Sequence, residues 1–346
     1  MQRAVLGWLR EHGIGAEERP TGEPDRPNVV ARIENGPGPA LLLNGHVDTV
    51  LAVEGWSSDP WMPRREGDRL YGLGACDMKS GVAAAMLATR ALDRNRDRWR
   101  GTVVFASVVD EEAYSLGARA LIADGVAADA CIVTEASWAH PALGSVGKVL
   151  IRVEVTGKAT HASWPAAGVN AAVEAARFAV ALDGIVLGKH PRLLASQCVL
   201  SLLSGSAQYV ITVPDRATLL VNRHIVPGET AAGVLAQYQS LAAGLNSPAR
   251  FDVSIEPPYY PPWEIAADHP LSSALAASYA AETGAAPDWG YQGYGDANLF
   301  STDAAIPTVQ FGPDGGNFHE ADEWVDVRSI AVTVRILLRT AVAVLA

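Results

Sequence analysis

Ala40-Leu41-Leu42-Leu43-Asn44-Gly45-His46-Val47-Asp48 is the stretch whose reading decides the fold. Its apolar residues run on without polar alternation, as in a strand buried on both faces, and the Asn44-Gly45 pair ends it. The strand hands the chain to a histidine. Outward from it the same pattern recurs: residues 102–109 form a β-branched-rich run that stops at Asp110-Glu111-Glu112, and residues 130–134 form another that stops at Glu135. Residues 79–91 and 113–121 between them read as helices, the first rich in alanine. Near the end, residues 306–311 read as a strand, Gly312-Pro313-Asp314-Gly315-Gly316 as a turn and residues 330–346 as an amphipathic helix. Buried strands joined by helices predict an α/β fold built on a mostly parallel sheet.

The middle of the chain has a different order. Residues 148–156 read as a strand, 170–182 as a helix capped by Asn170, and 197–203 and 216–226 as strands. A helix at 229–245 and a strand at 251–256 complete a β-α-β-β-α-β order, the split ferredoxin-like unit. The domains expected are 1–146 and 258–346 for the outer, catalytic domain and 147–257 for an inserted one, with the Pro-rich stretch 257–262 as the exit linker.

Open parallel sheets build their sites at the carboxyl ends of the strands. His46, Glu112 and Glu135 follow strand ends, Asp77 sits just ahead of a helix, and His319 comes after the last strand and its turn. Two histidines and three carboxylates can hold two divalent cations if one carboxylate bridges. Glu111 is the spare acid beside a ligand that metal-assisted hydrolysis needs as a general base. Residues two apart in an extended segment face the same way, so Asp48 is placed to accept a hydrogen bond from the non-ligating nitrogen of His46. Any one of these residues alone would read as a solvated loop side chain; their joint placement makes the case for a metal site. The mixed histidine and carboxylate donors suit zinc, with cobalt or manganese as substitutes.

Other readings fall away on chemistry. Gly72-Leu73-Gly74 hints at a dinucleotide loop, but Asp77 stands where the third glycine belongs and would meet a pyrophosphate with a carboxylate. There is no Gly-x-Ser-x-Gly elbow. The 346 residues carry a net charge of −11, which argues against a nucleic-acid partner. Hydrophobic residues make up 49% and charged residues 19%, a globular composition. Cys76, Cys131 and Cys198, widely spaced and odd in number, read as reduced thiols. With neither a signal-peptide core nor a membrane-spanning run, a soluble, cytoplasmic protein is expected. Two readings rival a hydrolase: a metal-binding or regulatory protein on the same fold without turnover, and a nucleotide-dependent enzyme.

Several blocks in register carry a resemblance. Leu43-Asn44-Gly45-His46-Val47-Asp48-Thr49-Val50 resembles the first metal motif of the dinuclear zinc amidohydrolase and peptidase family, which includes acetylornithine deacetylase, succinyl-diaminopimelate desuccinylase, the aminoacylases and glutamate carboxypeptidase. Trp56-Ser57-Ser58-Asp59-Pro60, Tyr71-Gly72-Leu73-Gly74-Ala75-Cys76-Asp77-Met78-Lys79, Asp110-Glu111-Glu112, Glu135, His161-Ala162-Ser163, Pro214-Asp215, Pro227-Gly228 and His319 with Glu323 follow in the family's order. The resemblance implies that His46, Asp77 and Glu135 hold one metal and Asp77, Glu112 and His319 the other, with Asp77 bridging and its bond to Met78 cis. It implies Glu111 as the base, Asp48 as the orienter of His46, and Arg223 as the binder of a substrate carboxylate. The inserted domain would be a lid that forms a homodimer and sends His161 to the partner's site. The reaction implied is hydrolysis of the amide bond of an N-acyl amino acid or small peptide.

The chain departs from the family in places. Only 45 residues precede His46, so the first helix is expected to be missing or short. Ile211 replaces a common asparagine, so the segment 208–211 is expected to line the substrate differently; Asn222 replaces a common aspartate, which leaves the charge partner of Arg223 open. Glu rather than Asp at position 135 leans toward the carboxypeptidase, desuccinylase and aminoacylase side of the family.

Overall fold

The computed structural model describes residues 1–137, 140–205 and 211–346. They form two compact units, Met1–Ser145 with Glu264–Ala346, and Val146–Trp263.

The first unit is built on a nine-stranded sheet. Its centre is parallel: Gly101–Val108, Ala40–His46, Ala130–Val133 and Thr308–Gln310 lie side by side in that order. The flanks are mixed, because Asn28–Asn35 runs antiparallel to Gly101–Val108 and Ala142–Ser145 antiparallel to Thr308–Gln310. The expectation of a mostly parallel sheet therefore holds for the centre, and the sheet as a whole is mixed. The central strands are mostly apolar because both faces are covered; Leu41, Leu42 and Leu43 are all fully buried. Register places His46 opposite Val108, and Val133 opposite both Asn44 and Gln310. Parallel strands in this register deliver their carboxyl ends to one edge, where the polar residues emerge.

Some boundaries differ from the sequence reading for local reasons. The helix expected at 113–121 runs instead over Leu116–Ala123. Asp110 has φ 68° and its carbonyl accepts the amides of Tyr114 (3.1 Å) and Ser115 (2.6 Å), so a tight turn occupies the residues before the helix. The helix Ser80–Arg94 begins just after the wound turn Ala75–Lys79, in which the Asp77–Met78 bond is cis. A ten-residue helix, Gln2–Glu11, is present at the start, with Val5 and Leu9 buried. A small antiparallel sheet of Gly315–Gly316, Trp324–Asp326, Arg69–Tyr71 and Arg64–Glu66 lies beside the turn that carries Asp77.

The second unit follows the order strand Gly147–Thr156, helix Ala171–Ala181, strands Ser196–Gly205 and Arg216–Ile225, helix Ala231–Gly244 and strand Arg250–Tyr260. The sheet is antiparallel, with Gly147–Thr156 between Arg216–Ile225 and Arg250–Tyr260, and Ser196–Gly205 at the edge. Val149, Ile151, Val153, Leu219 and Val221 pack with Phe178 and Tyr238 of the helices. Asn170 caps the first helix by accepting the amides of Ala172 (3.0 Å) and Val173 (3.3 Å). The expected exit at 257 falls inside a strand that continues to Tyr260, and the unit closes at Trp263. Among the described residues, no helix is long and apolar enough to cross a membrane.

Candidate metal centre

His46 ends its strand with a fully buried side chain. Its Nδ1 lies 3.2 Å from the backbone carbonyl of Asp48 and 3.6 Å from that residue's Oδ1. The main chain of Asp48 therefore lies within hydrogen-bond reach of the ring, with the carboxylate close behind. The Asp48 carboxylate itself accepts the amide of Glu112 (3.2 Å), tying the His46 strand end to the acidic turn.

His46 Nε2 faces Asp77 Oδ1 at 3.3 Å, Glu135 Oε1 at 3.4 Å and Glu111 Oε2 at 3.8 Å. It is a buried nitrogen with no hydrogen bond among the described residues. On the far side of Asp77, His319 Nε2 lies 3.3 Å from Asp77 Oδ2 and 3.1 Å from Glu112 Oε2. Asp77 thus turns one oxygen to each histidine. Donors at the usual zinc distance, about 2.0–2.1 Å from an ion in a tetrahedron, are separated by about 3.3 Å. The donor pairs around both histidines have that spacing, and an orphaned imidazole nitrogen among carboxylates is what a cation would satisfy. His46 with Asp77 and Glu112, and His46 with Glu111 and Glu135, are each compact enough to hold an ion. The residues fit a divalent ion.

The charges of the metal-free cluster shift accordingly. Burial lowers the His46 imidazole, but Glu135, Asp77 and Glu111 outweigh it and hold it well above the usual histidine range. Hydrogen bonding to Asp77, then Glu112, raises His319 to about 10. Burial would raise Asp77, yet His319 and His46 prevail and keep it well below the usual carboxylate range. Burial holds Glu111 well above that range and pushes Glu135 up to about 7.

Gly295, just ahead of the helix Asp296–Thr302, lies against Glu111: a Cβ there would stand 2.2 Å from Glu111 Oε1. The next residue, Asp296, is 1% exposed, and burial pushes its carboxyl up to about 6. Sequence reasoning missed Asp296; the available signal was an acid opening a short helical segment.

The remaining expected residues belong to the second unit. His161 sits in an exposed turn, where its Nδ1 accepts the amide of Ser163 at 3.1 Å and its ring lies 5.3 Å from Trp164. Arg223 is fully buried. Its guanidinium is held by Glu229 Oε1 at 2.5 Å and by the carbonyl of His224 at 2.5 Å. Glu229 is thus the charge partner left open by Asn222, and the substrate-carboxylate role expected for Arg223 is a separate matter from this pairing. Strand alternation already carried the signal, since Arg223 shares a face with Leu219, Val221 and Ile225. Of the segment 208–211, expected to line the substrate, residues 208–210 lie outside the described residues, and Ile211 is exposed.

The sequence pattern of peptidase family M20/M25/M40 matches residues 42–343, a span that takes in every residue of the cluster. The chain belongs to this family. It is an M20-family metallohydrolase acting on amide bonds. A succinyl-diaminopimelate desuccinylase of Methylobacterium radiotolerans is 30% identical over 346 aligned residues, which cover 94% of this chain and 87% of that protein. A tripeptidase from Staphylococcus aureus has the same fold, with a TM-score of 0.79 at 22% identity over 99% of this chain and 92% of its own. A dinuclear metal-binding M20 peptidase from Bacillus subtilis superposes with a TM-score of 0.76 at 20% identity, covering 99% of this chain and 91% of its own.

Proposed function

We propose that this M20 enzyme hydrolyses the amide bond of an N-acyl amino acid or small peptide at a pair of divalent ions, zinc first, with cobalt or manganese able to replace it. His46, Asp77 and Glu135 would hold one ion and Asp77, Glu112 and His319 the other. The observation that carries this reading is Asp77, whose two oxygens each lie 3.3 Å from a different histidine. Such ions, when bound, make a water nucleophilic near neutral pH and polarise the scissile carbonyl.

Within that frame each residue has a task. Glu111 is the acid left over, farther from His46 Nε2 (3.8 Å) than Asp77 and Glu135, so its Oε2 takes the water's proton and passes it to the leaving amine. Asp48 keeps the His46 ring turned through its carbonyl. The strand order of the second unit supports reading it as a ferredoxin-like lid and dimerisation domain, with His161 serving the partner's centre as an oxyanion donor. The thiols of Cys76, Cys131 and Cys198, none in a disulfide, support a reducing, cytoplasmic setting. The net charge of −11 supports a small-molecule substrate over nucleic acid.

Elemental analysis joined to free-amine release from a panel of N-acyl amino acids and short peptides tests this. About two ions per chain and chelator-sensitive hydrolysis are expected. Two ions with no turnover across the panel would favour a silent metal-binding protein, and no metal after reconstitution would overturn the reading.

A further inference from the structure

Asp77 lies in an irregular turn, so no sheet or helix ladder of its own aims its carboxylate. What holds the turn is Glu323, 246 residues further along the chain and 2% exposed. Glu323 Oε2 accepts the amide of Gly74 at 2.6 Å, and Oε1 accepts the amides of Cys76 at 2.8 Å and Asp77 at 2.9 Å. Its backbone carbonyl takes the amide of Gly72 at 3.0 Å. The next residues, Trp324–Asp326, pair antiparallel with Arg69–Tyr71, the strand that leads into the turn. Successive amides converging on one buried carboxylate form a concave anion site, here filled by the protein's own side chain.

We propose that Glu323 is a positioning residue for the bridging carboxylate: by gathering the amides of Gly74, Cys76 and Asp77 it fixes the backbone from which Asp77 reaches both His46 and His319. The inference rests on Asp77 as the bridge, as given under Proposed function. It adds that the loop bearing His319 supplies both a ligand and the clamp on the ligand it shares an ion with, so the two metal positions are tied together through the chain. A charged carboxylate is needed because it accepts on both oxygens. A glutamine would set an NH2 group against an amide donor, and an unpaired buried donor is costly.

The test compares Glu323→Gln with Asp322→Asn in the metal-loaded protein. Asp322 is on the same loop, but its carboxylate accepts the amide (3.0 Å) and hydroxyl (2.8 Å) of Ser57 and none of the amides of the Asp77 turn. By competition with a chromophoric chelator, Glu323→Gln is expected to bind at least one ion tenfold or more weakly and to change the visible spectrum of the cobalt form. Asp322→Asn is expected to do neither. Hydrogen exchange at Gly74, Cys76 and Asp77 in the unmodified protein, whether or not metal is bound, is expected to be slow despite their place in a turn. A lowered melting temperature in Glu323→Gln with unchanged metal affinity and cobalt spectrum would mark a merely structural role and overturn the proposal. So would equal metal loss in Asp322→Asn, or fast exchange of those amides. Should Glu323→Gln fail to fold, Glu323→Asp, too short to reach both oxygens' donors, is read the same way. Absence of amide hydrolysis would count against the function alone, since no readout here depends on turnover.

Discussion

Glu111 and Glu135 both face His46 Nε2, at 3.8 Å and 3.4 Å, and one must be the base and the other a ligand. Replacing each with glutamine separates them. Glu111→Gln keeps the volume and the contact with Gly295 but removes the group that carries the proton. General-base catalysis is worth about 10²- to 10⁴-fold, or about 3–5 kcal/mol at 1.36 kcal/mol per decade. Asp77, between two histidines, and Glu112, against His319, are not placed to take over. The expectation is a fall in kcat of about a thousandfold or more, with KM little changed and metal content intact. Glu135→Gln should instead lose an ion, its neutral amide being a poor substitute for a carboxylate donor 3.4 Å from His46. Steady-state kinetics and metal analysis on both variants decide the matter. If Glu111→Gln sheds an ion while Glu135→Gln loses only turnover, the roles are exchanged and the reasoning from distance fails.

Asp77→Ala should empty both metal positions, since it faces both histidines; one full-strength site by metal analysis would contradict the bridge. Metal uptake by the metal-free protein should release protons: His319 at about 10 and His46, also raised, bind protons near pH 7 and must give them up to ligate, so apparent affinity climbs as pH rises toward about 10. Titration calorimetry in buffers of different ionisation enthalpy reads the count, and a buffer-independent heat would refute it. Gly81→Ala would place a Cβ 1.8 Å from the carbonyl oxygen of Thr134, forcing the helix Ser80–Arg94 off the strand end that precedes Glu135. A loss of about 1–3 kcal/mol or more in denaturant unfolding is expected, together with weaker metal binding. Phe178→Ala, emptying a fully buried site against Tyr238 and Phe251, should cost the second unit about 3–5 kcal/mol in the same assay.

Much of the centre was legible because parallel strands leave little choice. Once the strands over 40–46, 101–108 and 130–133 are buried on both faces, the polar residues at or just beyond their ends must emerge at one edge, and His46, Glu112 and Glu135 are among them. The pairing of Arg223 had a local signal: alternation sets it on the apolar face of its strand, where a charge needs an internal partner, and Glu229 is that partner. The start of the helix Leu116–Ala123 was misjudged because the left-handed Asp110 reshapes the turn before it, and nothing in residue type alone announces that.

Residue order thus determined the alternation of buried strands and helices and which histidines and acids stand near the strand ends, the proposed metal donors and one further carboxylate among them. These follow from periodicity and donor chemistry, which are properties of neighbours in the chain. Tertiary structure alone decided that Asp77 divides its oxygens between His46 and His319, and that Glu323 gathers the amides which aim it. The physical reason is that an irregular turn has no ladder of its own, so its backbone donors must find acceptors elsewhere, and no local pattern says where.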